Sequence, residues 1–275
     1  PDYAKSVLFL PCSAKKPYSK SRSHAFFSSL IERSGANVHR VVLTSPLGIV
    51  PMELEYTYPA QNYDIPVTGH WFEEEKRMLM DLLEIYLRNN SYERIYAYLP
   101  EDLSFLEDIL IKYDAKYVIG NLRSMENQEK IVSYLKESKE NLNFKEKIKD
   151  EIVSVGRFQF GYEFPMDNVR IRKMYDDIIV EKNGEQYLYF SSKNGLLKIY
   201  RESAELLYEK NIYGVEIENF VPKGSIFSVG VLNATEDIRE GDHVVVYNEN
   251  GIGGTGLSRM SYLDRLSQYH GEVVS

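Results

Sequence analysis

The stretch SVLFLPCSAKKPYSKSRSH, residues 6–24, places a short apolar strand directly before a loop rich in cations. SVLFL (6–10) has the composition of a buried strand, and Pro11 begins the loop. The loop contains Cys12, the only cysteine of the chain. Because nearby cations favour the reactive thiolate, we expect Cys12 to be partly accessible, with a lowered pKa.

Beyond this loop, short apolar strands alternate with amphipathic helices up to about residue 145. The further predicted strands are RVVLT (40–44), RIYAYL (94–99) and KYVIG (116–120). The predicted helices are Phe72–Arg88, Leu103–Tyr113 and, behind a Ser124 cap, Met125–Lys139. This alternation predicts a mostly parallel sheet covered on both faces, whose ligands bind at the carboxyl ends of the strands. The cation-rich loop begins at such an end.

The pattern changes twice in the second half of the chain. NLNFKEKIKDE (141–151) is interpreted as a polar joint. A small α+β segment follows, in which the Asn183-Gly184 pair predicts a tight hairpin. Short strands separated by glycines, with one helix ahead of them, then predict a small mixed β-barrel. The predicted domains are therefore residues 1–145, 146–194 and 195–275.

Charge and composition exclude several classes of protein. The net charge is −8, so the chain as a whole is not a polycation that binds nucleic acid. Residues 1–24 nevertheless carry five Lys or Arg against one Asp, whereas residues 195–275 carry seven against twelve acidic residues. Any RNA contact is therefore expected first at the opening loop. No apolar run is long enough to cross a bilayer, so no membrane partner is predicted.

Residue types also bear on cofactors and compartment. One cysteine excludes an internal disulfide, which fits the reducing cytoplasm. The five histidines show no ligand spacing, so neither a metal nor another cofactor is predicted. Because the chain begins at Pro1, we expect a processed product or a piece of a longer polypeptide.

Two segments carry a resemblance to a known family. The pattern Pro11-Cys12-x3-Lys16-Pro17-Tyr18-x2-Ser21-x2-His24 resembles the signature of the archaeosine synthase alpha-subunit family, related to archaeal tRNA-guanine transglycosylase. SPLGIVPMELEYTYPAQNYDIPVTGHW (45–71) resembles the same family. About residues 195–275 resemble a PUA domain, and the stretch 223–261 carries this likeness. The resemblance implies an α/β parallel-sheet core similar to uracil-DNA glycosylase, then a small α+β pre-PUA domain and a C-terminal PUA β-barrel. Longer members carry a transglycosylase-like domain ahead of this core, outside these 275 residues.

The resemblance also implies a reaction and its partners. Family members add the amine of free lysine to the nitrile of 7-cyano-7-deazaguanine in the tRNA D-loop, and a partner radical-SAM protein cleaves the amidine to archaeosine. The implied function is tRNA modification by a cytoplasmic transferase; a monomer and a homodimer are both open. Two alternatives stand beside it: a tRNA-binding subunit, inactive alone, whose partner carries the transglycosylase-like domain, and a nucleobase glycosylase.

Cys12 and His24 are predicted to be the catalytic residues. A thiolate can add to a nitrile carbon, and an amine can displace it from the resulting thioimidate. His24 would pass protons. Two alternatives are direct attack by lysine, with Cys12 only lining the pocket, and a purely structural Cys12 that packs as a small hydrophobe.

Further residues are predicted to bind the substrates. Carboxylates can bind an ammonium group or the edge of a base, and unpaired bases stack on aromatic rings. A packed aromatic loop or a solvated strand would give the same sequence pattern. The predicted substrate-binding residues are Lys16, Pro17, Tyr18, Ser21, Glu53, Asp64 and Trp71. The predicted RNA-binding residues are Lys15, Lys20, Arg22, Arg170 and Arg172.

Overall fold

The computed structural model of the chain describes residues 3–63, 71–139, 143–267 and 270–275. The chain divides into two compact units, residues 1–151 and 152–275. Within the described ranges, no helix is long and apolar enough to cross a membrane.

The first unit contains a five-stranded sheet. Its strands are β1 (Ser6–Pro11), β2 (His39–Thr44), β3 (Gly48–Pro51), β4 (Arg94–Leu99) and β5 (Lys116–Ile119). Their order is β3-β2-β1-β4-β5, and all neighbours are parallel except β2 and β3. The four predicted strands thus form a parallel sheet, as predicted. The chain moves from β1 to β2 on one side and later returns to β4 on the other, so the carboxyl ends of these strands form the switch point at which such sheets bind ligands in a crevice.

Helices cover both faces of this sheet. They are α1 (Arg22–Ser34), α2 (Glu73–Asn89), α3 (Glu107–Lys112) and α4 (Met125–Leu135). A further helix, α5 (Phe144–Phe160), follows α4 in the chain. Val7 and Phe9 of β1 pack against α2 and α3, whereas Leu8 and Leu10 pack against α1 and α4. Successive side chains of a strand point to opposite faces, so a strand buried on both sides must be apolar throughout. VLFL (7–10) meets this condition.

Four elements differ from the sequence-based expectation, and one of them is the edge strand β3, which was not predicted. The segment interpreted as a polar joint is helical from Phe144, where α5 begins, and the buried Ile148, Ile152 and Val155 of α5 recur at helical spacing. The division of the chain after Glu151 lies within this helix. The predicted helix 103–113 begins as a 3-10 helix over Glu101–Leu106 and becomes α3. The helix α1, which starts within the cation-rich loop, was not predicted.

The second unit begins with an antiparallel sheet. Its strands, in spatial as well as chain order, are β6 (Val169–Met174), β7 (Asp177–Lys182), β8 (Glu185–Ser191) and β9 (Leu196–Ile199). Asn183 and Gly184 join β7 to β8 with φ of 53° and 86°. Positive φ at both central residues is what a two-residue hairpin turn requires, and the predicted hairpin is confirmed.

The rest of the second unit is a mixed β arrangement. The helix α6 (Arg201–Lys210) precedes a sheet of order β12-β10-β13-β14, in which only β10 and β13 are parallel. A strand β11 pairs separately with the last strand, β15. The bounds are β10 (Gly214–Ile217), β11 (Ile226–Phe227), β12 (Val231–Ala234), β13 (His243–Asn248), β14 (Gly251–Leu257), α7 (Tyr262–Ser267) and β15 (Glu272–Val274). The domain boundaries near 145 and 195 stay predictions.

Candidate active site

Cys12 lies directly after β1, at the carboxyl edge of the parallel sheet. Its backbone N–H donates a hydrogen bond of 3.1 Å to the carbonyl of Leu43, so the pairing of β1 with β2 extends to this residue. The side chain is half-buried against the cluster that contains Tyr18 and Val42. The thiol is therefore held by the sheet and is partly accessible, as predicted.

The hydroxyl groups of Tyr18, Tyr63 and Thr44 form a hydrogen-bonded row that ends next to this thiol. The hydroxyl oxygens of the buried Tyr18 and of Tyr63 lie 2.7 Å apart. The Tyr63 hydroxyl lies 2.7 Å from Oγ1 of Thr44, and the Thr44 side chain is hydrogen-bonded to Cys12. Thr44 is the last residue of β2, the strand beside β1, so adjacent strand ends bring the hydroxyl and the thiol together.

Burial raises the pKa of the Cys12 thiol above its ordinary value. The ammonium of Lys16 and the bond from Thr44 oppose this rise, while the carboxylate of Asp102 adds to it. The predicted lowering of the pKa is therefore wrong, because desolvation outweighs the cations. Lys16 remains the cation of the site, with Nζ 3.8 Å from the centroid of the Tyr63 ring.

Alkylation of the native protein will reveal these opposing charges. The rate of Cys12 modification by iodoacetamide should rise with pH around a midpoint above the ordinary thiol value of 9.0. Lys16→Met should move the midpoint upward, because it removes a charge that stabilises the thiolate, and Asp102→Asn should move it downward. Asp108→Asn, which removes an exposed acid on α3, is the control and should leave it unchanged. Equal midpoints in all four proteins would contradict this electrostatic account.

His24 lies behind the loop. The side chain is buried, and its ring packs between Tyr18 and Phe27 with centroids 5.4 and 5.3 Å away. Nε2 donates to the Pro11 carbonyl at 3.1 Å, because a carbonyl can only accept. Burial lowers the pKa of His24 to about 4, so the ring is neutral at pH 7. The bond to the Pro11 carbonyl supports a role for His24 in positioning Pro11, the residue before Cys12. The geometry gives no support to the predicted proton transfer by His24.

Other residues of the opening motif build the loop itself. Ser21 is buried, and its Oγ accepts the backbone N–H of His24 at 3.1 Å, which caps α1. The backbone N–H of Ser19 donates to a carboxylate oxygen of Glu55 at 2.7 Å. Tyr18 is fully buried and Pro17 half-buried. The structure thus gives Tyr18 and Ser21 packing and capping contacts, whereas Lys15, Lys20 and Arg22 are exposed.

Trp71 and Asp102 complete the crevice on its β4 side. The indole Nε1–H of Trp71 donates to a carboxylate oxygen of Asp102 at 3.2 Å, and its ring packs on Phe105 at 5.6 Å. Asp102 follows β4, the other neighbour of β1, and its charge reaches the Cys12 thiol. Neither Asp102 nor Thr44 was predicted. Applying the strand-end rule to β2 and β4 as well as to β1 would have found both residues.

Glu53 does not join this site. Its side chain is 5% exposed, and one carboxylate oxygen lies 3.0 Å from Nε2 of His39. His39 begins β2, at the edge of the sheet opposite Cys12, and its Nδ1 lies 2.8 Å from the hydroxyl of Tyr92. The structure gives this carboxylate a buried protein partner away from Cys12, so the geometry does not support the predicted substrate contact of Glu53, which stays a prediction.

The remaining predicted residues lie elsewhere. Asp64 falls outside the described residues. Arg170 and Arg172 are exposed on β6 of the second unit, where Arg172 forms an ion pair with Glu181. Among the described ranges, no group of three or more His, Cys, Asp or Glu side chains could hold a metal ion.

Comparison with known proteins places the chain in a family. Residues 1–148 match the family described as Domain of unknown function (DUF5591), and the chain belongs to it. The match covers the whole parallel sheet and the Cys12 loop. A crystal structure of AF0587, a protein of unknown function, has the same fold: the TM-score is 0.78 at 28% identity, over 99% of this chain and 93% of that one.

Curated relatives give the more specific likeness. The chain is 34% identical over 256 residues, 92% of its length, to archaeosine synthase subunit alpha of Thermoplasma acidophilum. It is 32% identical, over an alignment of 289 positions that covers 99% of this chain, to archaeosine synthase of Methanocaldococcus jannaschii. The matched region is 49% of each relative, so the chain spans about half of their length. The predicted resemblance to the archaeosine synthase alpha-subunit family is confirmed.

Proposed function

We propose that this chain acts on tRNA in archaeosine biosynthesis and adds the amine of free lysine to the nitrile of 7-cyano-7-deazaguanine. The observation that carries the proposal is the position of Cys12, a half-buried thiol held by two strand ends beside a crevice. The similarity of the chain, over nearly its whole length, to proteins named archaeosine synthase supplies the substrate class.

The proposed reaction has two covalent steps. The Cys12 sulfur bonds to the nitrile carbon, and the nitrile nitrogen takes up the proton that the thiol loses, which gives a thioimidate. The lysine amine then bonds to the same carbon, the carbon–sulfur bond breaks, and the sulfur regains a proton from the amine. The product is a substituted amidine, and the thiol is restored. No oxidant or other co-reactant is consumed.

Residues around the thiol have distinct roles in this proposal. The raised pKa keeps the thiol protonated until substrate binds, and Lys16 and Thr44 stabilise the thiolate once it forms. The carboxylate of Asp102, oriented by the indole of Trp71, attracts the ammonium group of lysine. In this proposal the thiol reacts with the nitrile, the cation stabilises the thiolate, and the carboxylate binds the amine. The groups at this edge of the sheet therefore fit both substrates.

Two alternatives stand beside this reaction, and the experiment below separates the second of them from it. The raised pKa of Cys12 favours direct attack by lysine, with the thiol only lining the pocket. The second alternative is a tRNA-binding subunit that is inactive alone. Mass spectrometry of nucleosides, after incubation of nitrile-bearing tRNA with the chain and free lysine, should show the adduct. An adduct formed only after a partner protein is added would favour the inactive subunit.

Removing the charge of Lys16 should weaken tRNA binding. Each cation that contacts a phosphate releases about one counterion, so Lys16→Gln should reduce the slope of log K against log salt by about one. Lys5→Gln is the matched control, because Lys5 precedes β1 at the opposite edge and pairs with Glu93. Filter binding at several salt concentrations measures both slopes. Equal slopes in wild type and Lys16→Gln would remove Lys16 from the tRNA contact.

The finer features of the fold are also proposals. We infer that the first unit is a uracil-DNA glycosylase-like core and that a pre-PUA domain and a PUA barrel follow it. The order of the elements supports this inference: a parallel α/β sheet, an antiparallel sheet, then glycine-separated strands behind α6.

A further inference from the structure

One face of the sheet β6–β9 carries a continuous row of side chains across all four strands. The strand register aligns Arg172 of β6 with Ile179, Ile179 with Tyr189, and Tyr189 with Lys198 of β9. Arg172 and Lys198 are exposed, and the two central side chains are half-buried. The next row along the strands points to the opposite face and is fully buried at Val180, Leu188 and Ile199. The sheet is therefore packed on one face, and its other face reaches solvent.

The centre of this open face offers an aromatic ring in a fixed position. The Tyr189 hydroxyl donates to the carboxylate of Asp177, and the same carboxylate accepts the backbone N–H of Ser192 at 2.8 Å. A ring that is already held loses little conformational freedom when a ligand covers it. Lys198 lies beside the ring, with Nζ 5.7 Å from its centroid. A planar ligand on Tyr189 would thus have a cation next to it.

The charges of this face favour an anionic ligand. Arg170 lies two residues from Arg172 along β6, on the same face, and is paired in register with Glu181. The face carries three cations, at Arg170, Arg172 and Lys198, against the carboxylates of Glu181 and Asp177. Arg172 is ion-paired with Glu181, and the face has one more cation than carboxylates, whereas the chain as a whole has a net charge of −8. Cations at both margins and an aromatic ring between them fit phosphates on either side of a stacked base.

We propose that this face binds an unpaired stretch of RNA, with one base on Tyr189 and the flanking phosphates on the cations of β6 and β9. Four-stranded sheets with accessible aromatic rings bind single-stranded RNA in this way. The inference rests on the proposed function in one respect, since tRNA would be the natural source of the unpaired nucleotides. It adds a contact in the second unit, apart from the Cys12 crevice.

Binding of a labelled 12-nucleotide oligouridine to the full chain, followed by fluorescence anisotropy, tests the proposal. Loss of base–aromatic stacking should weaken binding by about tenfold in Tyr189→Ala, whereas Tyr189→Phe should stay within about twofold of wild type. Lys198→Gln should weaken binding and flatten its salt dependence. The matched controls are Tyr208→Ala and Lys210→Gln, which alter exposed residues of α6 and should bind normally. Thermal melting of each variant verifies that it is folded.

Two results would overturn the proposal: wild-type affinity in folded Tyr189→Ala, or equal losses in Tyr189→Ala and Tyr189→Phe, which would assign the effect to the bond with Asp177. Cys12→Ser separates this inference from the proposed function, because it should bind oligouridine normally. If lysine is transferred to tRNA but Tyr189→Ala binds normally, only the RNA-binding face is refuted. If Tyr189→Ala weakens binding but no lysine is transferred, only the proposed reaction is refuted.

Discussion

Cys12→Ser will abolish transfer of lysine to tRNA, with a loss of about 10³-fold or more in turnover, while tRNA binding stays nearly unchanged. A serine hydroxyl is far less nucleophilic than a thiol, and removal of a nucleophile from a catalytic unit has effects of at least this size. The fold should persist, because the substitution exchanges one atom at a half-buried strand end. Nucleoside mass spectrometry measures transfer, and filter binding measures affinity.

Thr44→Val provides the graded control for this experiment. It removes the hydrogen bond to the thiol and keeps the volume of the side chain, so transfer should fall by less than in Cys12→Ser. A protein–nucleotide adduct that can be trapped in wild type, and is absent from Cys12→Ser, would identify the covalent intermediate. Turnover close to wild type in Cys12→Ser would instead exclude the thioimidate and leave direct attack by lysine.

Glu53→Gln will lower the free energy of unfolding by about 3 kcal/mol at pH 7, because it breaks a buried pair and leaves His39 without its charged partner. Burial alone would raise the pKa of Glu53, but the charge and hydrogen bond of His39 lower it below the ordinary value of 4.5. A carboxylate with a depressed pKa stabilises the fold above 4.5 and loses that effect as the pH falls. The difference between wild type and variant should therefore shrink below about pH 4.5. Urea denaturation at several pH values measures it.

The control for Glu53 is an exposed acid. Glu93→Gln breaks the surface ion pair with Lys5 and should cost less than about 1 kcal/mol. Glu53→Gln should also leave the KM for lysine unchanged, since Glu53 lies at the opposite edge of the sheet from Cys12. A raised KM for lysine without loss of stability would restore Glu53 to the substrate site.

The parallel sheet could be predicted because its strands are apolar on both faces, and SVLFL is the clearest case. The edge strand β3 could not, since it depends on a turn at Gly48, where φ is +72° and a Cβ would lie 2.3 Å from the Leu82 side chain. The helix α5 was missed because its first residues are mostly charged. Its buried side chains are spaced over about three turns, so its apolar face can be recognised only when the residues that pack against it are known.

For the site, sequence reasoning located the thiol but not its environment. Strand ends predict where Cys12 lies, whereas its pKa depends on burial by residues distant in the chain, such as Tyr63. The pairing of Glu53 with His39 likewise joins residues 14 positions apart, across β2 and β3. Ser21 and His24 form a helix cap. Residues of the opening motif thus stabilise the local fold of the loop, in addition to the roles proposed for Cys12 and Lys16 in the reaction.

The hydrogen bond from the Cys12 backbone to Leu43 fixes Cys12 to the sheet rather than to the loop that follows it. The sheet sets the thiol's position, so the exposed Lys15 and Lys20 of this loop can be exchanged without moving the sulfur, whereas Tyr18 is buried beside it. Replacing these exposed residues with those of a relative should change which RNA is accepted and leave the thiol in place. Inserting one residue into β1 would have the reverse effect, because it would turn the thiol to the other face of the sheet.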